Sequence, residues 1–394
     1  MRVEFFARAL AEICVRTPLA AGRPLRWIII ANPTAGGFTM RSRWNKGSAA
    51  LEKCVISAKV NPPRKDCAPA QTAVKCGAIP ALAASGLVAT DGPGSAAEIA
   101  AALTHEAEEN PAPFYLLITA GGDGTSLEVL SVLYNEPESL RSNAAVLRLP
   151  MGTGNDGADS PDLAAALALL IKPSRIEFTP ALRLLTAPDG PVSSKCPFLA
   201  FNILSVGLDA FVTHMTNKMK GKLPGDFYKL WVDISALLYD RLYKVDFLDV
   251  KAADAQGREI RSFREKLLLL AVGVSGHRTY GSQKKILPDD RNVCAVKQMP
   301  LLRKLALKGL FTTGAHIDKN ESILFSAHRV EISGSYPILA QMDGEAILLQ
   351  PEDFPAVIEL TDPVIPVLKL TGPSGTCPPS LNLPVSAFRA GVQS

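Results

Sequence analysis

Ile118-Thr-Ala-Gly-Gly-Asp-Gly-Thr125 decides the fold, because an apolar strand runs straight into three glycines and one aspartate and then into a helix. At Gly121, Gly122 and Gly124 the missing Cβ lets backbone N–H groups approach a ligand closely. Thr125 and Ser126 are expected to cap the helix read over Leu127 to Leu133, whose N-terminal partial positive charge favours an anion. These features describe a phosphate cradle. Asp123 is the discordant member: a carboxylate facing a polyphosphate is repelled unless it holds Mg²⁺ or accepts a proton. Its presence points to phosphoryl chemistry beyond binding. The same tetrapeptide also suits a hairpin turn, so the choice rests on what surrounds it.

Three neighbouring stretches repeat the pattern. Trp27 to Ala31 reads as a strand, ends in Asn32-Pro33-Thr34-Ala35-Gly36-Gly37, and precedes a helix from about Ser42 to Ser57. Gly86 to Thr90 is a short strand, Asp91-Gly92-Pro93-Gly94-Ser95 a turn, and Ala96 to Glu108 an alanine-rich helix that Ser95 is expected to cap. Ala144 to Leu149 opens into Pro150-Met151-Gly152-Thr153-Gly154-Asn155-Asp156, with a helix from about Asp162 to Ile171. Right-handed crossovers make such a succession a parallel sheet with helices on both faces. All four loops then leave the carboxyl edge, where open α/β sheets bind ligands.

From about Ile176 the pattern changes to short β-rich segments separated by turn residues, with one helical insertion near 224–243. The expected fold class is α/β, with an open parallel nucleotide-binding domain followed by an antiparallel β-rich domain. Domain bounds are read as 1–24 (extension), 25–173, 174–370 and 371–394. Pro173-Ser174 serves as the hinge, and the proline-rich segment after Pro363 returns toward the first domain. Residues 60–85, with Pro62, Pro63, Pro69 and Pro80 and little periodicity, read as a surface insertion.

The ordered motifs Asn32-Pro-Thr-Ala-Gly36, Thr90 with Pro93-Gly94, Gly121-Gly-Asp-Gly-Thr125, Pro150-Met-Gly-Thr-Gly-Asn-Asp156, Val206-Gly-Leu-Asp209 and Asp343-Gly-Glu345 resemble the diacylglycerol kinase catalytic-domain family, which includes bacterial-type lipid kinases and is related to sphingosine, ceramide and NAD kinases. The likeness runs from about Leu25 to about Leu370. The glycine box alone is shared with NAD kinases, whereas the Asn-Pro opening combined with Gly-Thr-Gly-Asn-Asp points to the lipid branch. The resemblance implies an ATP-dependent kinase acting on a hydroxyl of diacylglycerol or a sphingoid-type lipid. ATP and Mg²⁺ are its implied cofactors. Asn32, Pro33, Thr34, Gly36, Thr90, Gly121, Gly122, Asp123, Gly124, Thr125, Thr153, Asn155 and Asp156 are its implied nucleotide contacts. The resemblance implies a general base in Asp343-Gly344-Glu345, with Asp123 as a third candidate because related sphingosine kinases look as though they use the glycine-loop aspartate. A structural Mg²⁺ loop is implied at Leu287, Asp290 and Asn292, although Arg291-Asn292 departs from the family's usual pair. A second departure is Gly157-Ala158-Asp159-Ser160-Pro161, where the family carries an aromatic or leucine, then alanine and arginine. Two other readings stay open: a soluble kinase of the NAD-kinase type, and a non-catalytic nucleotide- or lipid-binding protein.

Composition sets outer limits. At 394 residues and 47% hydrophobic content, the chain can build two cores. The net charge of +4 spread over that length does not predict a nucleic-acid partner. No apolar run reaches membrane-span length, and the seven cysteines lack Cys-x-x-Cys spacing, so a cytoplasmic protein is expected. Residues 1–24 lack a secretory pattern and suit a short helix or an upstream start codon. Lys218, Lys220 and Lys222 before the amphipathic segment 227–243, and Arg303, Lys304 and Lys308 among leucines, could each rest on an anionic membrane, at on the order of 1 kcal/mol per cation. A solvated face over a packed helix is the competing reading. Expected partners are thus a lipid at a membrane surface, with peripheral contact at its inner face, and a second copy of the chain in a homodimer.

Overall fold

The computed structural model describes residues 2–66, 71–74, 85–152, 154–160, 162–219, 239–280 and 284–371. In the first half, helices α1 (Arg2–Cys14), α2 (Gly36–Thr39), α3 (Arg41–Ala58), α4 (Ser95–Glu109), α5 (Asp123–Asn135), α6 (Glu138–Arg141) and α7 (Leu163–Ile171) alternate with strands β1 (Leu25–Ala31), β2 (Gln71–Val74), β3 (Gly86–Ala89), β4 (Phe114–Gly121) and β5 (Ala144–Pro150). The second half contributes β6 (Ser174–Thr179), β7 (Leu182–Leu185), β8 (Phe198–Ala200), β9 (Ile203–Gly207), helix α8 (Leu208–Met219), β10 (Phe247–Ala253), β11 (Glu259–Gly273), β12 (Arg278–Tyr280), β13 (Lys284–Leu287) and β14 (Val293–Lys297). A helix at Leu301–Thr313 precedes β15 (Ser322–Phe325), β16 (Arg329–Ser333), β17 (Ile338–Met342), β18 (Glu345–Leu349), β19 (Ala356–Leu360) and β20 (Ile365–Leu370).

The first sheet has the order β2-β3-β1-β4-β5-β20-β6 and is parallel except where β6 runs against β20. Its central strands β1 and β4 are buried at every position, as strands covered on both faces must be. Alternation then sorts their side chains. Trp27, Ile29, Leu116 and Ile118 pack with α1, α3 and α7, whereas Ile28, Ile30, Tyr115 and Leu117 pack with α4 and α5. Residues 2–14 belong to this core, because Phe6, Leu10 and Ile13 recur at helical spacing and are buried against it.

The second sheet is antiparallel, with the path β18-β17-β9-β11-β10-β16-β19-β7-β8 and β14 and β15 joined through β11. Residues 174–179, assigned by sequence to the β-rich domain, are hydrogen-bonded into the first sheet against 365–370, which lie inside the bounds read for that domain but in the segment after Pro363 expected to return toward the first one. Non-local pairing of segments about 190 residues apart leaves no local trace. Within 60–85, Gln71–Val74 forms an edge strand on β3, where a surface insertion was expected. The basic loop at Lys220 and Lys222, most of the 224–243 insertion and the tail 372–394 lie outside the described residues.

Candidate active site

Register brings the motifs together. Ala31 pairs with Ala89 and with Ala120, and Gly121 pairs with Pro150, so the loops after β1, β3, β4 and β5 leave one edge of the sheet. They are joined beyond the strands as well. The Asn32 N–H donates to the Ala120 carbonyl (3.0 Å), Thr90 N–H to Ala31 (2.8 Å) and Gly37 N–H to Met151 (2.8 Å). Close approach makes two glycines obligatory. A Cβ at Gly152 would lie 2.6 Å from Gly122 Cα, and one at Gly121 2.4 Å from the Thr125 hydroxyl.

Most of the nucleotide-loop residues expected from sequence lie along this edge, with altered local roles. The Asn32 Oδ1 accepts from the Thr34 N–H (3.0 Å) and hydroxyl (2.7 Å), a side-chain turn that carries Pro33 to Gly36, the first residue of α2. Helix α5 begins at Asp123 with Gly122 as its N-cap, four residues earlier than expected. Thr125 and Ser126 therefore lie inside the helix and do not cap it. Thr125 fills the space beside Gly121, and the Ser126 hydroxyl meets that of Thr119 at 3.0 Å. Gly124 adjoins them within the first turn. Ser95 likewise is a helical residue, with Gly94 as N-cap; the α4 N-terminus is capped by Glu128, whose carboxylate accepts from Gly94, Ala96 and Ala97 at 2.9, 3.0 and 3.3 Å. Asn155 takes the left-handed conformation with φ +60°. Thr153 lies outside the described residues.

The carboxylates divide into distinct groups. Asp123 and Asp156 each direct an oxygen to within 3.0 and 3.1 Å of the point where a Cβ on Gly154 would stand. Burial first, and then the charges of Asp156 and Asp343, raise Asp123 to about 6, while the Gly157 N–H bond (3.1 Å) and Arg148 oppose the rise. Two converging carboxylates at a helix N-terminus, one held above its ordinary range, fit Mg²⁺, which binds through one or two carboxylates and phosphate oxygens. Asp343 is differently employed. Its carboxylate accepts from the backbone N–H groups of Phe201, Asn202 and Ile203, which consumes both oxygens. Burial raises its pKa, and those bonds and Arg148 counter it. Glu345, by contrast, is exposed and turns toward the glycine loop, its Oε1 lying 3.8 Å from the Cβ position of Gly124. Loss of surrounding water and the charge of Glu128 raise its pKa.

Several participants escaped the sequence reading. A narrow cleft is lined by Asp123, Leu127, Arg148, Asn202, Tyr280 and Asp343 among others, so its walls come from both halves of the chain. Arg148 is a charged residue within the buried strand β5, which was the available signal. Its guanidinium pairs with Asp159 (2.6 Å), and its backbone N–H donates to the same carboxylate. The departure at 157–161 thus ties this loop to β5 and to Asp123. Arg278 is lowered to about 10 by burial and by the like charge of Arg148. Asp209, in the first turn of α8, is raised to about 7, chiefly by burial.

At the loop where the resemblance implies backbone carbonyls and one aspartate around Mg²⁺, the Leu287 side chain is core, the Asn292 carboxamide bonds Gly273 and Ala327 backbone, the Asn292 carbonyl accepts from the Gly273 N–H (2.8 Å), and the fully exposed Asp290 carboxylate meets His277 at 2.9 Å. Arg291, standing where the resemblance expects glycine, pairs with Asp289 and closes the turn on itself. On the helix Leu301–Thr313, Lys304 is buried against Asp240 (2.5 Å) and Arg303 pairs with Glu321 (2.6 Å), while the Lys308 side chain lies outside the described residues. The same helix also exposes Leu301, Leu302 and Leu305, with Leu302 81% exposed. No helix among the described residues is long and apolar enough to cross a membrane.

Residues 26–173 match the family model of the diacylglycerol kinase catalytic domain. The chain is 26% identical over 238 residues to a Yersinia enterocolitica protein named "Probable lipid kinase YegS-like", covering 59% of this chain and 72% of the relative. Two solved structures of a "putative diacylglycerol kinase" from Bacillus anthracis share its fold. One has a TM-score of 0.53 at 17% identity, over 89% of this chain and 97% of that one. The other has 0.51 at 18%, over 87% and 96%.

Proposed function

We propose that this protein is a lipid kinase that transfers the γ-phosphoryl group of ATP to a hydroxyl of diacylglycerol or a sphingoid-type lipid. The observation that carries the reading is the meeting of Gly122 and Gly152 at backbone contact, with Asp123 and Asp156 converging beside them at the start of α5. Phosphoryl transfer asks a protein chiefly for alignment and charge neutralisation, and this edge supplies both. Asp123 and Asp156 would hold Mg²⁺, which when bound neutralises charge on the phosphates. The glycine turns present backbone N–H groups to the phosphate oxygens, and the partial positive end of α5 favours the same anion.

The acceptor oxygen must lose its proton as its bond to phosphorus forms and the bond to ADP breaks. Glu345 is the group for that proton: it is exposed, faces the first turn of α5 and has a raised pKa. Asp343, with both oxygens engaged by backbone, holds the turn that carries Glu345. Exposed Leu301, Leu302 and Leu305 support contact with a lipid surface. The test incubates the purified chain with labelled ATP and Mg²⁺ and, separately, vesicles carrying diacylglycerol, sphingosine or ceramide, and NAD. Label in a lipid is the expected result; label in NAD alone, or in none of them, overturns the reading.

A further inference from the structure

The turn between β17 and β18 is two residues long, with Asp343 at φ +46° and Gly344 at φ +104°. Side chains brace it from outside. Gln341, fully buried on β17, accepts at Oε1 from the Gly344 N–H (3.0 Å), and Asn217 of α8 donates to the Gly344 carbonyl (2.8 Å). The two peptide groups that flank the Gly344 Cα, the second of them linking Gly344 to Glu345, are thereby each held by one bond.

Gln341 is itself oriented. Its amide nitrogen donates to the Ser205 hydroxyl at 2.8 Å and to Asp209 Oδ2 at 3.4 Å, and Ser205 donates onward to Asp209 at 2.7 Å. A carboxamide can flip in principle, but an acceptor run ending in a carboxylate requires its NH₂ to face Ser205 and Asp209. Its oxygen must then face Gly344. The chain Asp209, Ser205, Gln341, Gly344 thus runs from the first turn of α8 to the residue beside Glu345, and nothing in the transfer chemistry described above uses it.

We infer that Gln341, oriented by Ser205 and Asp209, is a positioning residue that aims Glu345 at the glycine turn. The claim rests on the assignment of Glu345 as the base. An error of about 1 Å in a reacting group can cost about 100-fold in rate, so a brace this close to the base has a kinetic signature.

The experiment compares wild type, Gln341→Met, Glu345→Gln and the double variant on vesicles of phosphatidylcholine containing diacylglycerol, sphingosine or ceramide, with Mg²⁺ and labelled ATP. Gln341→Met keeps the buried volume and removes the bonds. The expected result is a fall in kcat of about 10 to 100-fold at unchanged KM for ATP, and no further fall when the change is added to Glu345→Gln. Gly344 amide exchange should quicken in Gln341→Met, which reports the brace independently of catalysis. A Gln341→Met loss that multiplies fully onto Glu345→Gln overturns the positioning role while leaving the base in place. Near-normal turnover in Glu345→Gln overturns the base assignment, and absence of transfer by wild type overturns the proposed function; either takes the positioning claim with it.

Discussion

Replacing Asp123 by Asn should make the apo protein more stable while stopping catalysis. The wild-type carboxyl is raised from 3.8 to about 6, principally by burial. Each pKa unit is about 1.4 kcal/mol, so ionising this group in the fold costs up to roughly 3 kcal/mol above pH 6; partial screening by water brings the expected gain to about 1–3 kcal/mol. The sign follows from linkage. Because the folded pKa exceeds the unfolded one, the penalty is complete above about pH 6, shrinks as pH falls through 6, and vanishes below 3.8. Asn keeps an oxygen for the Gly157 N–H and offers its NH₂ toward Asp156, so the exchange loses no internal bond. Urea unfolding of both proteins without Mg²⁺, at pH 8 and at pH 4, reads the difference. The variant should be the more stable at pH 8 and close to wild type at pH 4. A variant less stable at pH 8, or a gap independent of pH, would refute the argument that desolvation dominates at Asp123.

Other outcomes follow from neighbouring geometry. Below about pH 6 kcat/KM should fall as Asp123 takes up a proton, the midpoint moving down as Mg²⁺ is raised; a profile flat to pH 4 at limiting Mg²⁺ contradicts this. Glu128→Ala uncaps α4, losing three accepted N–H bonds, and should lower stability by about 1–2 kcal/mol with the urea m-value unchanged. An unchanged midpoint would mean that the cap carries no weight. Gly152→Ala drives a methyl into Gly122 backbone at 2.6 Å, and the crests must part, so calorimetric titration should show ATP binding weakened about 10-fold or more. Wild-type affinity would show that the crests do not act jointly.

The four strand, loop and helix units were legible in sequence because their determinants are local. Apolar runs, turn glycines and alanine-rich helical segments each declare themselves within about 20 residues. The loops that carry Asp123, Gly152 and Asp156 meet because parallel register aligns the ends of adjacent strands. Helix starts were less legible. Glu128 caps α4 from another helix, and Ser95 and Ser126, each a sound local cap, are passed over because a tertiary partner or an earlier turn satisfies the same donors.

Sequence alone determined the α/β half, its carboxyl-edge loops and the glycine-aspartate motif, because each is written in residues near one another. Tertiary structure decided that 365–370 completes the first sheet, that Asp343 is spent on backbone N–H groups while Glu345 faces Gly124, and that Arg148 is tied to Asp159. Those facts depend on contacts between segments far apart in the chain. Burial and charge at such contacts depend on every neighbour at once, and no window of sequence contains them.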